Sequence, residues 1–125
     1  MQFVIRGGKK LEGEITLSGA KNAATKMMIA SLLTDELVSL ENFPAIGDTA
    51  ITAELCRLLG SKIKQKQSTL TIQTAKITNH KVTSLSRRNR IPILALGPLL
   101  ARAGEAEVPF LGGDKIGARP VDMHI

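Results

Sequence analysis

An α+β (or α/β) domain assembled from repeated strand–helix modules is the fold class this sequence predicts, on three observations. Short segments alternate apolar and polar residues with the period of a strand, and segments between them repeat apolar residues at helical spacing. With 125 residues and 43% hydrophobic content, the chain has enough material for one core. A short echo favours repeated modules over a single Rossmann-type sheet: Gly13-Glu14 leads through a strand pattern to Ser18-Gly19, and Gly104-Glu105 leads through another to Gly112-Gly113.

Leu11, Gly13, Ile15 and Leu17 alternate with Glu12, Glu14, Thr16 and Ser18, which predicts a strand with one buried face. From Ala20 to Thr34, the residues Ala20, Ala23, Ala24, Met27, Met28, Ser31 and Leu32 recur at helical spacing, with Ser18 or Gly19 available as N-cap. Val38-Ser39-Leu40 reads as a short strand ending near Pro44. A second helix is expected from about Thr49 to Leu59, where Ile51, Leu55, Leu58 and Leu59 share a face, Asp48 can cap the start and Gly60 can end it. Lys62 to Lys66 and Thr69 to Gln73, joined by Gln67-Ser68, predict a hairpin with Ile63, Leu70 and Ile72 facing inward. Ala75 to Ser86 is polar and reads as an extended segment and turn. From Arg90 to Arg102, apolar residues surround the helical wheel, which predicts a helix buried on nearly every side, with Pro92 in its first turn and a kink at Pro98. Glu105 to Phe110 is strand-like. Pro120 suits the first position of another helix, which the sequence leaves after little more than a turn at Ile125, so truncation is the expectation.

The net charge of +6 is unevenly spread: from Leu55 to Gly104 there is no Asp or Glu, while Arg57, Lys62, Lys64, Lys66, Lys76, Lys81, Arg87, Arg88, Arg90 and Arg102 all fall there. Such a stretch attracts anions, or forms a solvated basic face. With no Trp, no Tyr and three Phe, stacking platforms for single-stranded nucleic acid are scarce, so a small phosphorylated ligand fits better than nucleic acid. No apolar run approaches the ~20 residues that span a bilayer, and the start lacks a secretory signal's apolar stretch, so no membrane and a cytoplasmic location are expected. Cys56, the single cysteine, lies among Leu55, Leu58 and Leu59 and reads as a buried structural thiol.

Two motifs can carry chemistry. Ser18-Gly19-Ala20-Lys21-Asn22-Ala23 puts a lysine and a carboxamide in the first turn of a helix, where free amides and the positive dipole end favour an anion; a solvated lysine is the plainer alternative. Gly112-Gly113-Asp114-Lys115-Ile116-Gly117-Ala118-Arg119-Pro120-Val121-Asp122-Met123-His124 combines permissive glycines with acids, bases and a histidine. Taken alone, Asp122 or His124 can equally satisfy local backbone groups.

Ser18 to Ala23, Asn42-Phe43-Pro44 followed by Asp48, Leu96-Gly97-Pro98-Leu99-Leu100-Ala101-Arg102, and the loop from Gly112 to His124 together resemble the UDP-N-acetylglucosamine enolpyruvyl transferases in order and spacing. The resemblance runs along essentially the whole chain. A sister family, the enolpyruvylshikimate-phosphate synthases, shares the fold and a lysine near the first helix but not the Ala118-Arg119-Pro120-Val121-Asp122 segment.

The resemblance implies an inside-out barrel of repeated βαβαββ units, present here incompletely: residues 1–20 would contribute strands to the other domain, and 21–125 would form part of the first substrate-binding domain. It implies transfer of the enolpyruvyl group of phosphoenolpyruvate to the 3-hydroxyl of UDP-N-acetylglucosamine, the reaction that opens peptidoglycan precursor synthesis, with no cofactor and no metal. By position, Lys21 and Asn22 match residues that hold phosphoenolpyruvate, Lys21 also counting as catalytic. Arg90 and Arg119 match substrate-site arginines, counted with the UDP-N-acetylglucosamine contacts, Arg119 being suited to clamp phosphate or carboxylate through its planar donor fork. Pro120, Val121, Asp122, Met123 and His124 match the stretch that contacts the uridine nucleotide. Asp114 stands where most of the family has a cysteine that donates a proton and is the fosfomycin target; an aspartate with a raised pKa can make the same protonation, and insensitivity to fosfomycin follows as an expectation. Lys81 to Asn89 departs from the family pattern, being more basic and less apolar, and Arg88 competes with Arg90 for the arginine assignment. The remaining partner would be the missing C-terminal part of the same enzyme, without which the 125 residues are expected to be inactive. A non-catalytic basic binding module and a shikimate-pathway synthase are the alternatives.

Overall fold

The computed structural model describes residues 2–113, 117 and 120–124. Residues 2–20 carry no helix or strand, and the alternating residues Leu11, Ile15 and Leu17 are all exposed. The strand expected there is therefore not formed: alternation marks a face suited to burial, but a strand also needs a neighbouring ladder, and none of the described strands pairs with this segment.

Helix α1, Lys21–Ala30, follows, with Ala20 rather than Ser18 or Gly19 at the N-cap, and a 3₁₀ turn at Ser31–Leu33 tightens its end. Its register is set by Gly19, whose N–H donates to the Asn42 carbonyl at 3.0 Å. A Cβ on Gly19 would lie 2.2 Å from that oxygen, so only glycine permits the approach. Strand β1 is Leu37–Leu40. Helix α2, Gly47–Leu58, starts two residues before the expected one, with Ile46 at its N-cap. Asp48 therefore sits in the first turn and not at the cap, and the Thr49 hydroxyl reaches back to accept the Ile46 N–H at 3.1 Å. Gly60, at φ +110°, ends the helix as expected.

The hairpin is formed as expected by β2, Lys62–Lys66, and β3, Thr69–Gln73. In the sheet order β1-β3-β2, both outer strands run antiparallel to β3, with Leu40 opposite Leu70 and Ile63 opposite Ile72. Leu70 and Ile72 point from β3 into the core, joined by partly buried Val38, Leu40 and Ile63. The helices cover that face, and Met28, Leu32, Leu55, Leu59, Ile72 and Leu99 are fully buried where the layers meet.

The segment expected as one kinked helix divides in two: a 3₁₀ stretch, Ile91–Ala95, then α3, Leu96–Ala103. Pro98 has no N–H to give the Leu94 carbonyl, so an α-helical ladder cannot run through this junction. The helix is also not buried all round, since Leu100 is 52% exposed. Arg102 does not face solvent as an anion-attracting charge. Its guanidinium donates to the carbonyls of Leu32, Thr34, Thr74 and Ala75, tying α3 to the end of α1 and to the exit of β3. Glu105 to Phe110 forms only one bridge, Lys81 to Glu107, instead of a strand, because a single pair leaves the other backbone groups of so short a segment unladdered. No helix opens at Pro120: the described residues there make a turn, closed by the His124 N–H on the Val121 carbonyl at 2.7 Å. Among the described residues, no helix is long and apolar enough to cross a membrane.

Candidate functional site

Three helical starts converge on one cleft of about 770 Å³. Lys21 and Asn22 open α1, Asp48 lies in the first turn of α2, and Arg90 with Ile91 opens the 3₁₀ stretch; all five line the cleft. Each contributes the positive end of its peptide dipoles, and Ala20 at the α1 N-cap offers no side-chain acceptor to compete for the first amides. The wall also carries Lys26, Arg87 and Arg88, so among the described residues five cationic side chains, Lys21, Lys26, Arg87, Arg88 and Arg90, face one carboxylate, that of Asp48. Such an arrangement is suited to a small polyanion.

The Asp48 carboxylate is already engaged. Lys21 Nζ lies 2.7 Å from Asp48 Oδ2, bracing the starts of α1 and α2 against each other. An incoming anion would share Lys21 with Asp48. On the opposite side of the cleft, the Asn89 side-chain oxygen accepts the Ile91 N–H at 3.0 Å, and the Asn89 carbonyl accepts the Gly112 N–H at 3.0 Å. The second contact seats the start of the Gly112-Gly113 loop on the arginine segment. A Cβ at Gly112 would come within 2.3 Å of Arg88 Cβ, which explains the glycine.

Of the residues singled out from sequence, Lys21, Asn22 and Arg90 are brought together in this cleft, with Arg88 beside them and Gly112 and Gly113 on its rim. Asp114 and Arg119 lie outside the described residues. Pro120, Val121, Asp122, Met123 and His124 are not among the lining residues; all but Val121 are exposed. Sequence reading passed over Lys26 and Asp48 as site residues. The signal for Lys26 was its position one turn after Asn22, on the same helix face. Asp48 carried no separate signal, because in the sequence it reads as the cap of the helix.

Cys56 is fully buried, and loss of hydration pushes its thiol up to about 12, so it is held as an inert core group, as expected. Among the described residues, no group of three or more His, Cys, Asp and Glu is arranged to hold a metal ion.

The family profile described as EPSP synthase (3-phosphoshikimate 1-carboxyvinyltransferase) matches residues 5–125. A protein named UDP-N-acetylglucosamine 1-carboxyvinyltransferase from Psychromonas ingrahamii is 46% identical over 125 residues, 99% of this chain and 30% of its own length. Same-named proteins from Acidiphilium cryptum and Chlamydia abortus are each 48% identical over 122 residues, covering 97% and 94% of this chain and 29% and 28% of their own lengths. The chain thus spans about 30% of the length of these curated relatives.

Proposed function

The chain belongs to the EPSP synthase (3-phosphoshikimate 1-carboxyvinyltransferase) family, and on that premise we propose that it serves the transfer of the enolpyruvyl group of phosphoenolpyruvate to the 3-hydroxyl of UDP-N-acetylglucosamine, with release of phosphate. The observation that carries this reading is the similarity along nearly the whole chain to proteins named for 1-carboxyvinyl transfer on that sugar nucleotide. The reaction begins a cell-wall precursor and belongs to the cytoplasm, where both substrates are made.

In this reading the cleft holds phosphoenolpyruvate. Lys21 and Asn22 hold its phosphate and carboxylate, and Arg90, which the resemblance counts with the sugar nucleotide, shares their cleft and can reach the same anion through its planar donor fork. The sugar hydroxyl adds to C2 of phosphoenolpyruvate as C3 takes a proton from Asp114. Loss of phosphate from C2 and of a proton from C3 then restores the double bond in the enol ether. Arg119 and the segment Pro120 to His124 hold the nucleotide. Asp114 as acid in place of a thiol makes the enzyme insensitive to fosfomycin, because a carboxylate opens an epoxide far less readily than a thiolate. The exposed alternating segment through Leu17 fits a strand of the other domain of the barrel, and residues 21–125 fit part of the first substrate-binding domain. The chain spans about 30% of the length of its curated relatives, so the reaction is proposed of the whole enzyme, and binding without turnover is the expectation for the 125 residues tested by themselves.

The test is titration of the chain with phosphoenolpyruvate, followed by amide NMR and by ³¹P NMR after UDP-N-acetylglucosamine is added. Shifts centred on Lys21, Asn22 and Arg90, with no phosphate released, are expected. Shifts confined to the other faces, or turnover by the chain alone, would overturn the corresponding part of the reading.

A further inference from the structure

Asp48, Ile51 and Glu54 follow one another at intervals of three along α2, which places them on one stripe of the helix. Asp48 and Ile51 line the cleft; Glu54 lies just beyond it and takes no part in the lining. Its carboxylate is engaged on both oxygens by a single residue. Oε1 accepts the Ser86 N–H at 2.8 Å, and Oε2 accepts the Ser86 hydroxyl. Ser86 immediately precedes Arg87, Arg88, Asn89 and Arg90, the four consecutive residues that form the cationic wall.

This wall has little regular structure of its own, since residues 82–90 contain neither helix nor strand. Adjacent arginines repel one another and are free to extend into solvent, so a binding wall made of them needs fixed points at both ends. At the far end Asn89 supplies one, through Ile91 and Gly112. At the near end the anchor is the Glu54–Ser86 clasp. The same two hydrogen bonds hold the Glu54 carboxyl below the usual glutamate range, so it is ionised, and a full acceptor, at neutral pH.

We propose that Glu54 is a positioning residue that holds the arginine wall on the cleft by clasping Ser86, and so sets the affinity of the cleft for its anionic substrate without touching it. The proposal rests on the reading of the cleft as the phosphoenolpyruvate site.

The sign of one substitution separates positioning from simple electrostatics. If Glu54 were only a nearby negative charge, Glu54→Ala would make the cleft more positive and bind an anion more tightly. As a positioning residue, its loss weakens binding. Glu54→Gln removes the same charge but keeps both contacts, because its carbonyl oxygen can accept the Ser86 N–H and its amide can donate to the Ser86 hydroxyl. In phosphoenolpyruvate titrations of the 125-residue chain, Glu54→Ala is expected to raise Kd about fivefold, and Glu54→Gln to stay within about twofold of the parent. Ser86→Ala should weaken binding, and adding it to Glu54→Ala should change little further, as for two halves of one contact. The companion readout is the heteronuclear NOE of the amides of residues 87–90, which should fall in Glu54→Ala and hold in Glu54→Gln, with far-UV circular dichroism unchanged in both. Binding by Glu54→Ala as tight as or tighter than the parent, or equal weakening by Ala and Gln, would overturn the proposal. If the parent binds no phosphoenolpyruvate, the substrate reading fails instead, and the NOE comparison alone decides whether Glu54 orders the wall.

Discussion

Replacing Arg102 by methionine removes one side chain from the junction of three segments while keeping its aliphatic length. In the structure, Nη1 reaches the carbonyls of Leu32, Thr34 and Thr74 at 3.0, 2.9 and 2.8 Å, and Nη2 reaches that of Ala75 at 3.2 Å. Nη1 carries two hydrogens, so its three contacts are shared and amount to about two full bonds. Hydrogen bonds from a charged donor contribute roughly 1.5–3 kcal/mol each, but Arg102 is partly solvated and water can reach some of the freed carbonyls. A net loss of about 2–4 kcal/mol is therefore expected for Arg102→Met, and about half that for Arg102→Lys, whose ammonium cannot span four carbonyls. The assay is urea unfolding followed by far-UV circular dichroism, because the chain has no Trp or Tyr to report by fluorescence. The midpoint should fall with the slope unchanged. A loss below about 0.5 kcal/mol for Arg102→Met, the range of ordinary surface substitutions, would refute the view that this arginine is a structural clamp.

Three further outcomes follow from individual positions. Gly60→Ala places a Cβ 2.8 Å from the Lys76 carbonyl at a backbone φ of +110°, and should cost about 2 kcal/mol or more in the same unfolding assay. Gly112→Ala drives a Cβ into Arg88, so the amide resonances of residues 88–90 should shift and phosphoenolpyruvate binding should weaken, while the hairpin resonances stay in place. Cys56, buried and with its thiol raised to about 12, should resist a maleimide at pH 8 in the native chain and react promptly in guanidinium; rapid native labelling would contradict the packing described.

Parts of this fold were legible because local pattern and tertiary packing agree. The hairpin's alternation, with Ile63, Leu70 and Ile72 on one face, matches its burial, and Gly60 stops α2 for the reason its residue type implies. The failures share a cause: periodicity states which face wants burial but not what will cover it. Leu11, Ile15 and Leu17 alternate correctly yet are exposed, and the apolar wheel from Arg90 to Arg102 with its expected kink at Pro98 does not show that Ile91–Ala95 winds as a 3₁₀ stretch. Within the cleft, Lys21, Asn22 and Arg90 were found through a helix start and a matching pattern. Asp48, and Glu54 outside the cleft, were not, since their roles depend on how α2 lies beside α1 and the arginine segment, whereas Lys26 was marked by its place one turn after Asn22. The run of basic residues from Leu55 to Gly104 could not be divided from sequence into its separate roles. Folding sends Arg102 inward to carbonyls, Lys62, Lys64 and Lys66 to an exposed outer strand, and Arg87, Arg88 and Arg90 to the cleft.

That sorting is the central claim, and two substitutions with the same change in net charge test it. Phosphoenolpyruvate affinity would be compared in Arg90→Gln, which alters the cleft, and Lys62→Gln, which alters the outer strand β2. Arg90→Gln is expected to lose at least about tenfold, the lower end of what a charged hydrogen bond contributes, and Lys62→Gln less than about twofold. Equal losses in the two would mean that the chain attracts anions through its overall charge, and would contradict a built site at the three converging helix starts.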